Sequence, residues 1–144
     1  MLLGEHEHTI DDKNRITLPA KFRAPFAGGL VVTRGLEGCL LAYPRTDWEQ
    51  LVESWLAGLG PFSKEARRVQ RFFFAGASEA ELDRQGRVMI PAALIQHAGL
   101  GRNVVIAGMR DHLEIWDMAA WRAELKEVEG RAEDVAEHLA TRRD

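Results

Sequence analysis

Cysteine is nearly absent. Cys39 stands alone in 144 residues, so no internal disulfide can form, and the chain suits a reducing cytoplasm. A single thiol of this kind reads as a small buried side chain rather than a nucleophile. Long hydrophobic runs are missing as well. No window approaches the about 18 apolar residues of a membrane span. The start, Met1-Leu2-Leu3-Gly4-Glu5, has neither the basic leader nor the apolar segment of an export signal. A cytoplasmic location without a membrane partner is the expectation. An excess of either charge is also lacking: the formal net charge is −3, which is not the footprint of a basic nucleic-acid binder. Catalytic signatures are missing too, with no Gly-x-Ser-x-Gly, no P-loop and no dinucleotide fingerprint. No enzyme and no cofactor are expected. His6 and His8 share one strand face, a spacing that can hold a metal, but no cluster completes a tetrahedral set, so no metal is expected.

What is present is a core and an uneven charge. Apolar residues make up 46% of the chain, enough for one ordinary domain. Asp117 to Asp144 carries five basic and eight acidic residues, while Met1 to Trp116 carries fourteen of each. Lys13, Arg15, Lys21 and Arg23 follow one another without an acid between them, and Lys64 to Arg71 sets four basic residues against Glu65. Positive charge gathered on one face can bind DNA in a neutral protein.

The chain also repeats itself. Asp83-Arg84-Gln85-Gly86-Arg87-Val88-Met89-Ile90-Pro91-Ala92 lies seventy-two residues after Asp11-Asp12-Lys13-Asn14-Arg15-Ile16-Thr17-Leu18-Pro19-Ala20. Both follow one grammar: Asp, three residues, Arg, a short strand, Pro-Ala. Gly4, Glu7 and Ile10 match Gly76, Glu79 and Leu82. After a one-residue slip, Val31, Val32, Gly35, Leu40, Tyr43 and Trp48 match Val104, Val105, Gly108, Leu113, Trp116 and Trp121. This is an internal duplication.

Within the first copy, Glu5 to Ile10 and Arg15 to Leu18 read as strands around a polar turn. Asn14 matches Gly86, and these residue types tolerate a left-handed backbone best. A hairpin is expected, with a three-residue loop, positive φ at its last position, and Asp11 facing Arg15. Pro19 opens a short helix. Leu30 to Arg34 and Cys39 to Tyr43 form a strand pair across Gly35-Leu36-Glu37-Gly38. Trp48, Leu51, Val52, Trp55, Leu56 and Leu59 mark an amphipathic helix, with Thr46 or Asp47 at its start and Gly58, Gly60 and Pro61 at its end. Ser63 caps a basic helix whose stripe is Ala66, Val69, Phe72 and Phe73; the run Phe72-Phe73-Phe74 suits a core or a subunit interface. The second copy repeats the plan: strands Glu79 to Leu82 and Arg87 to Ile90, helix Pro91 to Ala98 stopped by Gly99, strands Asn103 to Ala107 and Leu113 to Trp116. A helix then starts at Trp121, Leu125 and Val128. A second helical segment follows Gly130, and Thr141 to Asp144 frays.

Each half reads β-β-α-β-β-α. Strands of about four residues do not make a stable hairpin alone, so the halves are expected to fold together. The fold class is α+β, mainly β: a closed or nearly closed barrel about a pseudo-two-fold axis, covered by the two tryptophan-bearing helices. The organisation is one repeat over 3–60, a linking helix over 61–75, a second repeat over 76–129 and an acidic tail over 130–144.

An isolated Asp–Arg pair on a surface contributes about 0–1 kcal/mol and carries no function. Two copies related by a dyad gather Lys13, Arg15, Arg84 and Arg87 at one end of the barrel. A two-stranded ribbon fits the DNA major groove, and arginine presents a planar fork to phosphates or guanine edges, which a neighbouring Asp can aim. The doubled Asp-x-x-x-Arg followed by Pro-Ala resembles the MraZ family, from Leu3 to about Leu125. That resemblance implies a swapped-hairpin fold of two SpoVT/AbrB-type repeats. It also implies a regulator, expected to be a repressor, that binds short direct repeats in the promoter of the division and cell-wall gene cluster. Association into a cyclic homo-oligomer follows from it too. Carried onto this chain, the family motif falls on Asp11 and Arg15 and on Asp83 and Arg87. The site expected here is Arg15, Arg87, Lys13 and Arg84 on double-stranded DNA, oriented by Asp11, Asp83, Asn14 and Gly86, in a protein that works at the nucleoid. The competing reading is an antitoxin-like module that binds a protein and has no DNA target of its own.

Overall fold

The structure, a computed structural model, describes every residue except Leu59, Pro61, Arg143 and Asp144. The expected roles of Leu59 in a helical stripe, of Pro61 as a stop and of the last two residues as a frayed end lie outside the described residues.

The fold is α+β and mainly sheet. Eight strands run as β1 (Leu2–Thr9), β2 (Arg15–Thr17), β3 (Leu30–Arg34), β4 (Leu40–Pro44), β5 (Ser78–Ala80), β6 (Arg87–Met89), β7 (Asn103–Arg110) and β8 (Leu113–Asp117). Four helices join them: α1 (Arg45–Leu56), α2 (Lys64–Phe73), α3 (Ala92–Ala98) and α4 (Met118–Thr141). Six strands form one sheet in the order β1-β7-β8-β4-β3-β5, and β2 pairs with β6 in a separate ribbon.

That order shows how the duplication is used. Each copy's first strand leaves its own half and pairs with the other half's long hairpin: β1 with β7, and β5 with β3. The matched strands β4 and β8 meet in the middle of the sheet, and the matched strands β2 and β6 meet in the ribbon. Every one of these ladders maps onto itself or onto its counterpart when the copies are exchanged, as a pseudo-dyad requires.

Two expectations about strand pairing need correction. The closed barrel is not observed: the sheet ends at β1 and β5, which do not pair with each other. The β1–β2 hairpin shrinks to a turn and one bridge, Ile10 with Ile16. The cause is the depth of Ile16 and Val88, 0% and 1% exposed and opposite each other in the ribbon. Both residues reach the core only if β2 and β6 lie together across the inner face of the sheet.

The core lies between that face and the ribbon. Leu30, Val32, Leu40, Val104, Ile106, Leu113 and Ile115 from the sheet meet Ile16, Leu18, Val88, Ile90, Phe22 and Phe26. Each such side chain contributes about 1.5–3 kcal/mol by leaving water. The segment after Pro19 makes two single-turn 3-10 helices, Ala20–Phe22 and Ala24–Phe26, rather than one α-helix. Pro25 within this short run denies an α-helix an N–H, yet Phe22 and Phe26 still reach the core. Alternation puts Cys39, Val105 and Trp116 on the other face, where Met118 and Trp121 at the start of α4 cover them.

Helix α1 starts at Arg45 behind Pro44 without a side-chain cap, so neither Thr46 nor Asp47 serves as one. Ser63 does cap α2, its Oγ accepting from Ala66 N–H at 3.2 Å. Gly99 ends α3 with φ of 57°. Helix α4 continues through Gly130 without a break, where two segments are expected. A single glycine costs only about 1 kcal/mol in a helix, and the 24 residues of α4 outweigh it. Phe72, Phe73 and Phe74 are half-buried: Phe73 and Phe74 meet Trp55, Phe74 also meets Trp48, and Phe72 lies against His97. No helix among the described residues is long and apolar enough to cross a membrane.

Candidate nucleic-acid interface

The paired turns share one construction. In the first, Asp11 Oδ1 accepts from the backbone N–H of Lys13 at 2.9 Å and of Arg15 at 2.8 Å, and Asp11 Oδ2 accepts from Arg15 Nε at 2.8 Å. In the second, Asp83 Oδ1 accepts from Gln85 and Arg87 N–H, both at 2.9 Å, and Asp83 Oδ2 accepts from Arg87 Nε at 2.7 Å. Backbone bonds close each loop, Asn14 to Asp11 at 3.1 Å and Gly86 to Asp83 at 3.0 Å. Asn14 and Gly86 both have positive φ, 60° and 78°, as the turn chemistry requires. The N–H groups of Arg15 and Arg87 are the first cause of the fall of both Asp carboxyls below the usual 3.8; the Arg side-chain bonds and charges assist.

Each turn is also fastened to the opposite half. Leu18 N–H donates to Gly86 O at 2.9 Å, and Ile90 N–H donates to Asn14 O at 2.8 Å. The ribbon thus continues from its three ladder pairs to the prolines at positions 19 and 91. Its inner face carries Ile16 and Val88. The outer face therefore carries Arg15, Thr17, Arg87 and Met89, with Arg15 opposite Met89 and Thr17 opposite Arg87. Arg15 and Arg87 are diagonal neighbours, at a spacing of roughly 7–8 Å.

The structure therefore brings Arg15 and Arg87 onto one outward face, each held through Nε. The terminal guanidinium nitrogens of both have no partner among the described residues. Lys13 and Arg84 are exposed on the turns. The two turns flank the ribbon at its two ends rather than standing side by side, because antiparallel pairing sends each strand's N-terminus in the opposite direction. Met89, 63% exposed between the two arginines, is a member of this face that sequence reasoning passes over; the strand alternation Arg87-Val88-Met89 already places it outward. Arg23, read in the sequence as part of a basic stretch but not as a site residue, also belongs here. Its Nε donates to Leu18 O at 2.9 Å and its guanidinium lies over Gly86.

The other candidates lie elsewhere. His6 packs its ring edge-on to Phe22, with centroids 5.1 Å apart, and no three His, Cys, Asp or Glu among the described residues form a metal-holding group. Cys39 is sealed beneath α4, its thiol pushed up to about 12, first by burial and then by Glu114 and Glu37.

A duplicated chain with strands exchanged between its halves, displaying two Asp-clamped arginines on one ribbon, defines a class of two-repeat ribbon-bearing proteins. The family model described as "MraZ protein, putative antitoxin-like" matches the chain twice, over residues 1–72 and 73–143. The chain is 45% identical over 140 residues to the transcriptional regulator MraZ of Roseiflexus castenholzii, covering 97% of both. It is 43% identical over 140 residues to that of Lachnoclostridium phytofermentans, covering 97% of this chain and 96% of the relative. It is 46% identical over 121 residues to that of Limosilactobacillus fermentum, covering 84% of both. The chain belongs to the MraZ family, a family of transcriptional regulators and not of enzymes.

Proposed function

We propose that this chain is a DNA-binding transcriptional regulator, acting as a repressor at short direct repeats in the promoter of the division and cell-wall gene cluster, in the cytoplasm at the nucleoid. The single observation that carries the reading is the ribbon face: Arg15 and Arg87, aimed by Asp11 and Asp83, with free terminal nitrogens pointing away from a packed core. A two-stranded ribbon has the dimensions of the major groove. Lys13 and Arg84 on the flanking turns supply phosphate contacts, and the paired arginines take phosphates or base edges. The name of the relatives, transcriptional regulator, agrees with this.

One ribbon makes a small footprint, so affinity for repeated sites comes from several chains held together. The swapped-hairpin unit of residues 3–60 and 76–129, joined by the 61–75 helix, then serves as one module of a cyclic homo-oligomer. Two surfaces support self-association. The distal part of α4 exposes Val128, Val135 and Leu139 (51%, 48% and 55%) along a stripe edged by Glu124, Glu127 and Arg131. Trp55, Val69 and Phe73 line a groove between α1 and α2 together with Ser63, Glu65 and Ala66. The apolar stripe of α4 on one copy has the form to seat in the apolar groove of the next. A head-to-tail contact of this kind makes a ring when its rotation closes.

The test is a gel-shift series on DNA with one, two or three tandem boxes at two salt concentrations. Binding is expected to strengthen with box number and weaken steeply with salt, and Arg87→Ala is expected to lower both affinity and salt slope while the fold persists. A salt-independent isotherm rejects the reading. The antitoxin-like wording of the family description favours a second one, a module that embraces a protein partner. A stoichiometric protein partner with no retardation of promoter DNA would decide for it.

A further inference from the structure

The two turns have the same backbone but not the same surroundings. Asn14 is exposed, whereas Gly86, its counterpart, is buried beneath Arg23. A Cβ added to Gly86 would collide with the Arg23 guanidinium. Arg23 comes from the first half of the chain and reaches the turn of the second. It is anchored there because its Nε donates to Leu18 O at 2.9 Å, while Leu18 N–H donates to Gly86 O at 2.9 Å. Leu18 thus ties the arginine and the turn together. The terminal guanidinium nitrogens of Arg23 have no partner among the described residues.

Among the described residues no arginine donates to Ile90 O, the counterpart of Leu18 O. The residue seventy-two positions after Arg23 is Ile95, which packs against the core. The charges differ accordingly. Asp11, Asp12, Lys13 and Arg15 net zero, whereas Asp83, Arg84 and Arg87 together with Arg23 net +2. The pseudo-dyad is broken in favour of one end of the ribbon.

We infer that Arg23 is a third phosphate-contacting cation of the second turn, lent across the duplication, and that this turn is the stronger DNA anchor of the two. The inference rests on the DNA-binding reading above. Arg84 and Arg87 form the turn's own contribution. Arg23 fills the space that a side chain at position 86 would take, and presents its free nitrogens beside them. Guanidinium groups held in one direction by a neighbouring acceptor suit phosphate oxygens better than free ones, since less motion is lost on binding.

The experiment measures binding of the full-length protein to promoter DNA across a salt series. Arg23→Gln keeps a donor for Leu18 O and removes the charge. It is expected to lower affinity and to reduce the slope of log affinity against log salt by about 0.9, the loss of one phosphate contact. Arg23→Lys restores the cation and is expected to restore the slope. Arg84→Ala is expected to weaken binding more than Lys13→Ala. A wild-type slope in Arg23→Gln, or a larger loss from Lys13→Ala than from Arg84→Ala, overturns the inference while leaving DNA binding intact. Failure of the wild-type protein to bind DNA at all instead overturns the reading beneath it. Melting curves of the variants separate lost contact from lost fold: a slope change at unchanged melting temperature supports contact, and a slope change seen only in partly unfolded protein counts against it.

Discussion

Asp83 holds Arg87 at three points. Its Oδ2 accepts from Nε at 2.7 Å, its Oδ1 accepts from the backbone N–H at 2.9 Å, and its own N–H donates to Arg87 O at 3.0 Å. The carboxyl falls below its ordinary 3.8, chiefly through the N–H of Arg87. A group whose folded-state pKa is lowered contributes stability that is complete above its unfolded value and is lost as pH falls through the folded one. Asp11 behaves alike. The turns are therefore expected to hold unchanged from neutral pH down to about the ordinary carboxylate range, and to loosen only below it. Asp83→Asn is expected to flatten the acid limb of a stability-versus-pH curve. An acid limb identical to wild type would show that the pair does not couple to folding.

The α4 stripe is expected to carry self-association. Val135→Asp with Leu139→Asp places charge on an exposed face outside both core clusters of the described residues, so the fold is expected to persist by circular dichroism. Sedimentation should shift from an assembly toward the single chain. An unchanged mass distribution would move the contact elsewhere.

Gly108 pairs with Gly4 across β1 and β7, and a Cβ there would stand 2.6 Å from the backbone of Leu2 and Leu3. Backbone cannot step aside as a side-chain tip can. Gly108→Ala is expected to cost about 1–3 kcal/mol, the usual range for overpacking, and to free the N-terminal strand first. Denaturant melts with hydrogen exchange at β1 would check both. Protection of β1 as strong as in wild type would refute the close fit.

Cys39 is expected to be inert. With its thiol pushed up to about 12 and no surface exposed, almost no thiolate exists near neutral pH, and thiolate is the reactive form. Alkylation at pH 8 should fail on the folded protein and proceed in denaturant. Rapid labelling of the folded chain would mean that α4 lifts away from the sheet.

The turns are legible in the sequence because their chemistry is local. A position needing positive φ selects Asn14 or Gly86, and an Asp four residues before the Arg that ends a tight loop meets it, whatever the rest of the chain does. Partner choice among strands is not local. The same alternation at β1 and β2 serves a hairpin or an exchange, and only the depth of Ile16 and Val88 decides for the exchange. Helix ends fall between these extremes: Ser63 caps as its type predicts, while Asp47 does not, because α1 begins directly behind Pro44. Arg23 escapes a linear reading for a different reason. Its repeat mate is Ile95, so symmetry points away from it, and only the folded chain shows it lying on Gly86.

The pairing of β1 with β7 and of β5 with β3 gives the two halves a shared interior. A proteolytic nick between α1 and α2 would therefore leave two fragments clasped like linked hooks, with neither able to complete its sheet without the other. Expressed separately, each fragment becomes half of a split-protein system. Damage to one copy of the ancestral unit is for the same reason never confined to it.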